Sequence, residues 1–298
     1  MGETVVALWE GIDRYLAERA PRDWEKAEVR RYRQRIHEIL GAEYRLMSFF
    51  QSGSFQHGTA IAPYSDVDYI ARIHYEDRPG SSSTILNKMR DLLKRELWEA
   101  NSVYVSRPSV TIDFSSLVTR YEITAAYLVR GSADENRVVA IPAPAGGWRE
   151  AAPQAHNKFV SNMDRKHHGS VRELARLMKA WKYAHAVPIS SFYLEMRCAE
   201  YGKNYDSIWS LISLQTITKK LINTNLAAMN DPTGLVSRIS ACSSETNRLN
   251  SMARLRDLSK NLDAAYTAHR AGTGRRWEMN QALQAIWGTD FPYCDPSD

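Results

Sequence analysis

The spacing of apolar residues changes once along this chain, and that change limits the folds it can adopt. From Tyr44 to about residue 150, short runs rich in β-branched and aromatic residues are separated by Gly, Pro and Ser, which is typical of strands in a sheet. From Gln154 onward the apolar residues recur at helical spacing. The sequence therefore predicts an α/β region of about one domain's length followed by an all-helical region.

Individual elements follow from the same patterns. The runs predict strands at Leu46 to Phe50, Val67 to Ile73, Val103 to Val105, Val110 to Phe114 and Ile123 to Val129. Helices are expected at Val5 to Leu16, at Val29 to Leu40 and at Ile85 to Leu97, the last capped by Ser81 to Ser83. The turn-rich segment Ile141 to Trp148 comes before helices at about 154–165, 171–185, 191–201, 205–229, 245–270 and 277–287.

Composition excludes several classes of protein. The three cysteines are isolated and form no CxxC, which excludes a disulfide framework and a cysteine-built zinc site. No stretch approaches the ~18 apolar residues of a spanning helix, and the first twenty residues are acidic where a signal peptide would be apolar. We therefore expect a cytoplasmic protein that is neither exported nor embedded in a membrane. The net charge of +5 favours anionic partners such as nucleotides, nucleic acid or acidic lipid.

The segment from Gly53 to Asp68 carries the residues with the clearest chemistry. Gly53 and Ser54 come where a strand ends and a helix can begin, so free backbone N–H groups and a hydroxyl can face a phosphate. Asp66 and Asp68 are two residues apart on a strand, so their carboxylates project from the same face. Like charges this close are unfavourable, and divalent cations are the usual remedy.

A third carboxylate, Asp113, lies in a strand whose alternate residues are apolar. An acid in such a position is disfavoured unless it faces solvent or a site. If this strand neighbours the strand of Asp66, three carboxylates converge on one point. Such a set can hold two Mg²⁺ ions for phosphoryl transfer, one activating a hydroxyl and the other stabilising the leaving oxygen.

Each of these features also has a purely structural interpretation. Gly-Ser after a strand is usually only a turn, and Asp-x-Asp is common on a solvated strand edge. All three features occur in order, and each lies in or beside a predicted strand. This combination favours a phosphate- and metal-binding site over three unrelated structural features.

Taken together, Gly53-Ser54, Asp66-Val67-Asp68 and Asp113 resemble the signature of the polymerase β-like nucleotidyltransferase superfamily. Within it, the chain resembles the bacterial cGAS/DncV-like nucleotidyltransferases (CD-NTases), the oligonucleotide cyclases of CBASS antiphage operons. The resemblance implies a bilobal fold, with an α/β nucleotidyltransferase core and N-terminal helices in residues 1–150. A helical lobe in residues 151–298 would complete the nucleotide-binding cleft.

The resemblance continues in the helical region, in RLMKAWKYAHAVPISSFYLE. It implies that Lys179 and Ser191 contact the donor triphosphate and that Phe192 stacks on its base, although the family often has Tyr at the last position. Chemistry permits these roles, because a lysine is a point charge for phosphates and an aromatic ring is a platform for any base. Without the resemblance, a solvated helix face for Lys179 and a core position for Phe192 are the simpler interpretations.

The implied activity is Mg²⁺-dependent synthesis of a cyclic dinucleotide or cyclic oligonucleotide from ATP, GTP or other nucleoside triphosphates, with release of pyrophosphate, in antiphage defence. Two Mg²⁺ ions, with Mn²⁺ as a substitute, would be bound by Asp66, Asp68 and Asp113. The implied partners are the triphosphates, a downstream effector that binds the product, and regulatory or conjugating proteins. The animal cyclic GMP-AMP synthase has a zinc-binding insertion that helps it sense duplex DNA. No Cys/His cluster in this chain could supply such an insertion, so the resemblance does not imply that nucleic acid is required.

Two other functions fit the same residues. The first is a template-independent enzyme of the superfamily that extends RNA, as tRNA and poly(A) tailing enzymes do. The second is a non-catalytic nucleic-acid-binding relative, for which loss of an acidic residue would be the simplest sign. The base preference, the linkage, the ring size and the activating signal do not follow from the sequence.

Overall fold

The computed structural model describes residues 6–115 and 120–296, which fall into two compact units. The sheet unit consists of the described parts of Pro21–Ser161 together with Thr233–Ser237. The helical unit consists of the described parts of Met1–Ala20, Asn162–Pro232 and Arg238–Asp298.

The elements in chain order are β1 (Val6–Ala7), α1 (Leu8–Glu18), α2 (Asp23–Glu43), β2 (Leu46–Ser52), α3 (Gly53–His57), β3 (Val67–Ile73), α4 (Ser82–Glu96), β4 (Ala100–Ser106), β5 (Ser109–Phe114), β6 (Tyr121–Arg130), β7 (Val138–Pro142), β8 (Trp148–Ala151), α5 (Pro153–Lys166), α6 (Ser170–Ala184), α7 (Ser191–Asn204), α8 (Ser210–Asn223), α9 (Glu245–Arg270), α10 (Arg276–Trp287) and β9 (Cys294–Asp295). Short 3-10 turns lie at Tyr75–Asp77 and Thr273–Arg275.

The sheet of the sheet unit is organised around β6. The first half of β6 lies between β3, which runs parallel to it, and β5, which runs antiparallel. The second half pairs with β7, which pairs in turn with β8. The strands β2 and β4 extend the sheet on the outer sides of β3 and β5. β3 is therefore paired with a neighbouring strand on both edges at Asp68. β6 is likewise paired on both edges at Glu122, the residue in register with Asp68.

Alternation along the strands separates a packed face from a polar one. Val67 and Tyr69 of β3 and Tyr121 of β6 belong to a core that includes the buried faces of α2 and α4. The side chains at the intervening positions of these strands point to the opposite face. Asp68 and Glu122 are among them. The packing of α2 and α4 on one face thus leaves the carboxylates on the other.

The helical unit gathers α6 to α10 with α1. Its largest buried side chains are tryptophans, and the Nε1 of Trp287 in α10 donates to the carbonyl of Leu177 in α6, at 3.1 Å. The side chain of Asn280 bonds the backbone N–H and C=O of Cys294, which ties the last described strand to α10. Throughout residues 6–115 and 120–296, every helix is too short or too polar to cross a membrane.

The structure departs from the sequence analysis at several boundaries. The turn-rich segment is a hairpin between β7 and β8, two short strands that the sequence analysis missed. α1 belongs to the helical unit, and the division between the two compact units falls after Ser161, inside α5. The expected division into residues 1–150 and 151–298 stays a prediction. The start of α5 belongs with the sheet because the Asn157 side chain donates to the Gln51 carbonyl, at 3.1 Å.

Candidate active site

Asp68 occupies the middle of a row of paired residues that crosses the sheet. In β3 it is in register with Ser52 of β2 and with Glu122 of β6. Asp66 immediately precedes β3, and both aspartates are half-buried. The Asp68 carboxylate lies on the face away from the core of α2 and α4, and Asp66 is near enough to Glu122 on that face for its charge to raise the pKa of Glu122.

Gly53 brings the backbone of α3 against the Asp68 side chain. Its φ of 63° lies in the left-handed region, and a Cβ built there would stand 2.2 Å from the Oδ2 of Asp68. Any other residue would therefore displace that carboxylate and strain the backbone. The Gly53-Ser54 pair and the Asp68 carboxylate are thus adjacent, as the sequence pattern requires of a phosphate-and-metal site.

Asp113 lies on a strand that is separated from β3 by one strand. Its strand, β5, does not pair with β3, because β6 lies between them. The hydroxyl of Ser102 donates to Oδ2 of Asp113 at 2.6 Å, and the Nε of Arg120 lies 3.7 Å from Oδ1. The direct pairing of β5 with β3, which the sequence analysis stated as a condition, is therefore not present, while the metal-binding role of Asp113 stays a prediction.

Glu122 is the carboxylate that the sequence analysis missed. It faces Asp68 across the parallel pair of β3 and β6. Burial raises the pKa of Glu122, the charge of Asp66 raises it further, and Arg120 opposes both. The strand was expected to begin at Ile123 but begins two residues earlier, at Tyr121, so the expected strand did not include Glu122.

The electrostatics of Asp66 reflect crowding of like charges. Burial raises the pKa of its carboxyl group, the nearby guanidinium of Arg120 lowers it, and the charge of Asp113 raises it again. Among residues 6–115 and 120–296, no three His, Cys, Asp or Glu side chains stand close enough together to hold a metal ion. Carboxylates that repel one another need a cation to converge, and Arg120 provides positive charge beside Asp66 and Asp113.

In the helical unit, Lys179 does not lie where its expected role requires. Its side chain is 1% exposed, and its Nζ lies 2.8 Å from Oε1 of Glu195, which is 3% exposed. A buried lysine paired with a buried carboxylate has no open side from which to contact a triphosphate. The phosphate-binding role inferred for Lys179 therefore disagrees with its place in the structure.

Lys182, one helical turn further along α6, stands beside Ser191 instead. Its Nζ donates to the Ser191 hydroxyl at 2.6 Å, and the hydroxyl of Tyr183 is 3.3 Å from the same oxygen. Burial lowers the pKa of Lys182 to about 8, the charge of Lys179 lowers it as well, and Glu195 opposes them. A partly buried ammonium next to a hydroxyl is a suitable pair of donors for phosphate oxygens.

Ser191 and Phe192 open α7, whose N-terminus is capped by the side chain of Ser190, which accepts from the backbone N–H of Tyr193 at 3.2 Å. Phe192 is 36% exposed, so part of its ring is open for stacking. The structure therefore keeps Ser191 and Phe192 at the surface of the helical unit, and their roles stay predictions.

No protein-family model and no curated protein matches this sequence. Solved structures do match it. CdnC of E. coli MS115-1, in its complex with HORMA-deltaN, aligns with 95% of this chain and 97% of its own at a TM-score of 0.76 and 18% identity. CdnG of Bradyrhizobium diazoefficiens in complex with GTP aligns with 89% of this chain and 88% of its own, with a TM-score of 0.67 and 14% identity.

The cyclic AMP-GMP synthase DncV of Vibrio cholerae, in complex with the linear intermediate pppA(3′,5′)pG, aligns with 82% of this chain and 70% of its own. Its TM-score is 0.63 and its identity 16%. These likenesses confirm the fold expected from the sequence, the bilobal polymerase β-like fold that CD-NTases share.

Proposed function

We propose that this chain, which has the fold of the CD-NTases, is a metal-dependent nucleotidyltransferase that joins nucleoside triphosphates into a cyclic dinucleotide or a small cyclic oligonucleotide. The observation that carries the proposal is that the Asp68 carboxylate fills the space that a Cβ at Gly53 would occupy. The Gly-Ser turn and the Asp-x-Asp strand, which the sequence shows only in order along the chain, are therefore adjacent in space. The solved structures with this fold include cyclic dinucleotide synthases.

The carboxylates suit Mg²⁺ or Mn²⁺, since both are hard cations that prefer oxygen ligands. Asp66, Asp68 and Glu122 are the ligands that the register favours, because the strands of Asp68 and Glu122 are bonded directly to each other. Asp113 is the alternative third ligand. When bound, the metal would lower the pKa of the attacking ribose hydroxyl and neutralise charge on the phosphates.

The chain's own groups would orient the donor triphosphate. In the sheet unit, the N–H groups of Gly53 and Ser54 would bind its phosphate oxygens. In the helical unit, the Lys182 ammonium and the Ser191 hydroxyl are donors suited to phosphate oxygens. The open part of the Phe192 ring would support the base. Lys179 would act indirectly, by fixing α6 to α7 through Glu195 so that Lys182 and Ser191 stay adjacent.

We further propose that the product is a signal in antiphage defence, read by a separate effector protein. CdnC, which aligns with nearly all of this chain, was solved together with a HORMA protein. A regulatory protein partner is accordingly part of the proposal, and pull-down with the genomic neighbours of this chain is its direct test.

The proposed activity is tested by incubating the full chain with all four labelled nucleoside triphosphates and Mg²⁺. We expect small products that resist phosphatase, identified by mass spectrometry and linkage-specific nucleases. If label appears only in added RNA, the chain is an enzyme that extends RNA. If no nucleotide is transferred at all, the proposed activity is refuted in favour of a non-catalytic relative.

Variants connect the activity to the site. Asp66→Ala with Asp68→Ala should abolish synthesis while the circular dichroism spectrum stays unchanged, because neither half-buried side chain belongs to the apolar core. The matched control is Asp91→Ala, an exposed carboxylate on α4 that pairs with Arg90, and it should retain full activity. Synthesis by a folded double variant would refute the metal assignment.

A further inference from the structure

A cavity of about 650 Å³ lies in the helical unit between α7 and α8, and none of the proposed synthesis residues lines it. Its volume is within the range usual for small-molecule sites. Arg197 and Tyr201 of α7 line one side, with Tyr205 just beyond that helix, and Lys219 and Lys220 of α8 line the other. All of these residues belong to the same unit, so the cavity is complete within it.

The aromatic part of the cavity is a pair of stacked rings. The ring centroids of Tyr201 and Tyr205 are 4.2 Å apart, and the ring planes are 16° from parallel. Tyr201 is 9% exposed and Tyr205 is 47% exposed. Tyr201 covers one face of the Tyr205 ring, which leaves the opposite face as the one that a ligand ring can contact. That face is a platform on which a further planar ring can stack.

The cationic part contains one buried guanidinium. The Arg197 side chain is 7% exposed, and its two Nη atoms donate to Glu200 at 2.8 Å and to the hydroxyl of Tyr193 at 3.0 Å. Its Nε–H, although buried, has no hydrogen-bond partner in the part of the chain that the structure describes. Burying an N–H without a partner is unfavourable, so an acceptor atom in the cavity would stabilise this arrangement.

Two lysines extend the positive charge to the mouth of the cavity. Lys220 lies 3.0 Å from Glu200, the same carboxylate that Arg197 engages, and Lys219 lies 3.3 Å from Asp263. Three cations thus face two carboxylates, which leaves an excess of positive charge. Each ammonium has three N–H donors and uses one in these pairs, so both lysines can also bind an anion.

We propose that this cavity binds a mononucleotide, a planar heteroaromatic ring that carries a phosphate. The ring stacks on Tyr205, and the phosphate accepts hydrogen bonds from the Nε of Arg197 and from Lys219 and Lys220. The combination of a ring platform and cations distinguishes this ligand from inorganic phosphate, which has no ring, and from a nucleoside, which has no charge. The site is separate from the proposed synthesis site and does not depend on the proposed activity.

The test uses the full chain carrying Asp66→Ala and Asp68→Ala, so that nucleotide is not converted. The probe is 8-azido-AMP, with photolabelled peptides identified by mass spectrometry. We expect labelled peptides from residues 197–224, with labelling suppressed by AMP at concentrations at which adenosine or inorganic phosphate has little effect. The position of the label separates this site from nucleotide bound elsewhere.

Two exposed substitutions probe the two halves of the ligand. Tyr205→Ala and Lys219→Gln should each weaken protection by AMP about tenfold, the order expected for loss of a stacked ring or a charged contact. Neither side chain is in the core, so both variants should fold. The matched controls are Tyr75→Ala and Lys88→Gln, exposed residues of the sheet unit, which should behave as the parent protein does.

The proposal is overturned by the absence of label in residues 197–224, or by equal protection in Lys219→Gln and Lys88→Gln. Protection by a single-stranded RNA dodecamer at lower concentrations than AMP would also overturn it, because it would show that the cavity belongs to a nucleic-acid surface.

Discussion

Lys179 and Glu195 form an ion pair in the interior of the helical unit, with 2.8 Å between Nζ and Oε1 and almost no exposure of either side chain. The pair joins α6 to α7, the two helices that also carry Lys182 and Ser191. A charge placed so deeply is tolerated only with its partner present, because removing one member leaves the other desolvated and uncompensated. The pair therefore has a structural role.

This role predicts a large loss of stability from Glu195→Gln. We expect the free energy of unfolding in urea to fall by ~3–5 kcal/mol, the range for breaking one side of a buried pair. The double variant Lys179→Met with Glu195→Leu should recover most of that loss, because neither charge is then buried. Glu18→Gln, which breaks the exposed pair with Arg14, serves as control and should cost at most ~0.5 kcal/mol. Equal losses in Glu195→Gln and Glu18→Gln would contradict the structural role.

The lowered pKa of Lys182 predicts a pH dependence of triphosphate binding. Burial brings this pKa to about 8, so the ammonium loses its proton as the pH rises from 7 to 9. The Kd for a non-hydrolysable ATP analogue should therefore rise roughly tenfold over that interval. In Lys182→Arg the group stays charged and the dependence should disappear. A profile that is the same in both proteins would remove Lys182 from the phosphate site.

The same shift has a defined effect on stability. An unfolded chain keeps the Lys182 proton up to about its usual pKa of 10.5, whereas the folded chain releases it near 8. Between those values the unfolded state binds more protons, so the unfavourable contribution of this group to folding diminishes as the pH rises. Below pH 8 the buried charge opposes folding in full.

Sequence patterns were sufficient for the elements with long, regular periodicity. β3 was expected at Val67 to Ile73, and the structure has it there. The Asp-x-Asp pair and the Gly-Ser turn were likewise found from local spacing alone, since both depend on residues near each other in the chain. The short strands β7 and β8 were missed because they are only five and four residues long and flank a connection rich in Gly and Pro.

What spacing cannot supply is the lateral order of strands. Asp113 was chosen because its own strand showed an acid among apolar residues, but the neighbour of β3 is β6, a non-local pairing. The assignment of Lys179 was limited in a similar way. Lys179 and Lys182 lie on the same helix only three residues apart, and only tertiary packing determines that one is enclosed with Glu195 and the other reaches Ser191.

The crowding around Asp66 predicts that its removal stabilises the metal-free protein. Because burial and the charge of Asp113 raise the pKa of Asp66, its ionised form opposes folding at neutral pH. Asp66→Asn should raise the thermal midpoint in EDTA, and this difference should shrink as the pH falls and Asp66 becomes protonated. Added Mg²⁺ should raise the midpoint of the parent protein but not of the variant.

The control variant, Asp77→Asn, should not raise the thermal midpoint. Hydrogen bonds from Arg45 lower the pKa of Asp77, so Asp77→Asn should lower the midpoint slightly or leave it unchanged. If Asp66→Asn behaved as Asp77→Asn does, or if Mg²⁺ stabilised both Asp66→Asn and the parent equally, the crowded carboxylates would not be the metal site.

The register of β3 and β6 predicts that Glu122 matters more for synthesis than Asp113. Glu122→Gln keeps the size of the side chain but removes the charge that faces Asp68, so the rate of product formation at saturating Mg²⁺ should fall by more than ~100-fold. The carboxylate of Asp113 is held by Ser102 and Arg120. In Asp113→Asn the rate of product formation should therefore fall by only ~10–100-fold, as is typical of a residue that supports a metal ligand without binding the metal. The reverse ranking would restore Asp113 as the third ligand. Circular dichroism and a Mg²⁺ titration of each variant separate lost metal affinity from lost fold, because a true ligand variant stays folded and needs higher Mg²⁺ for any residual activity.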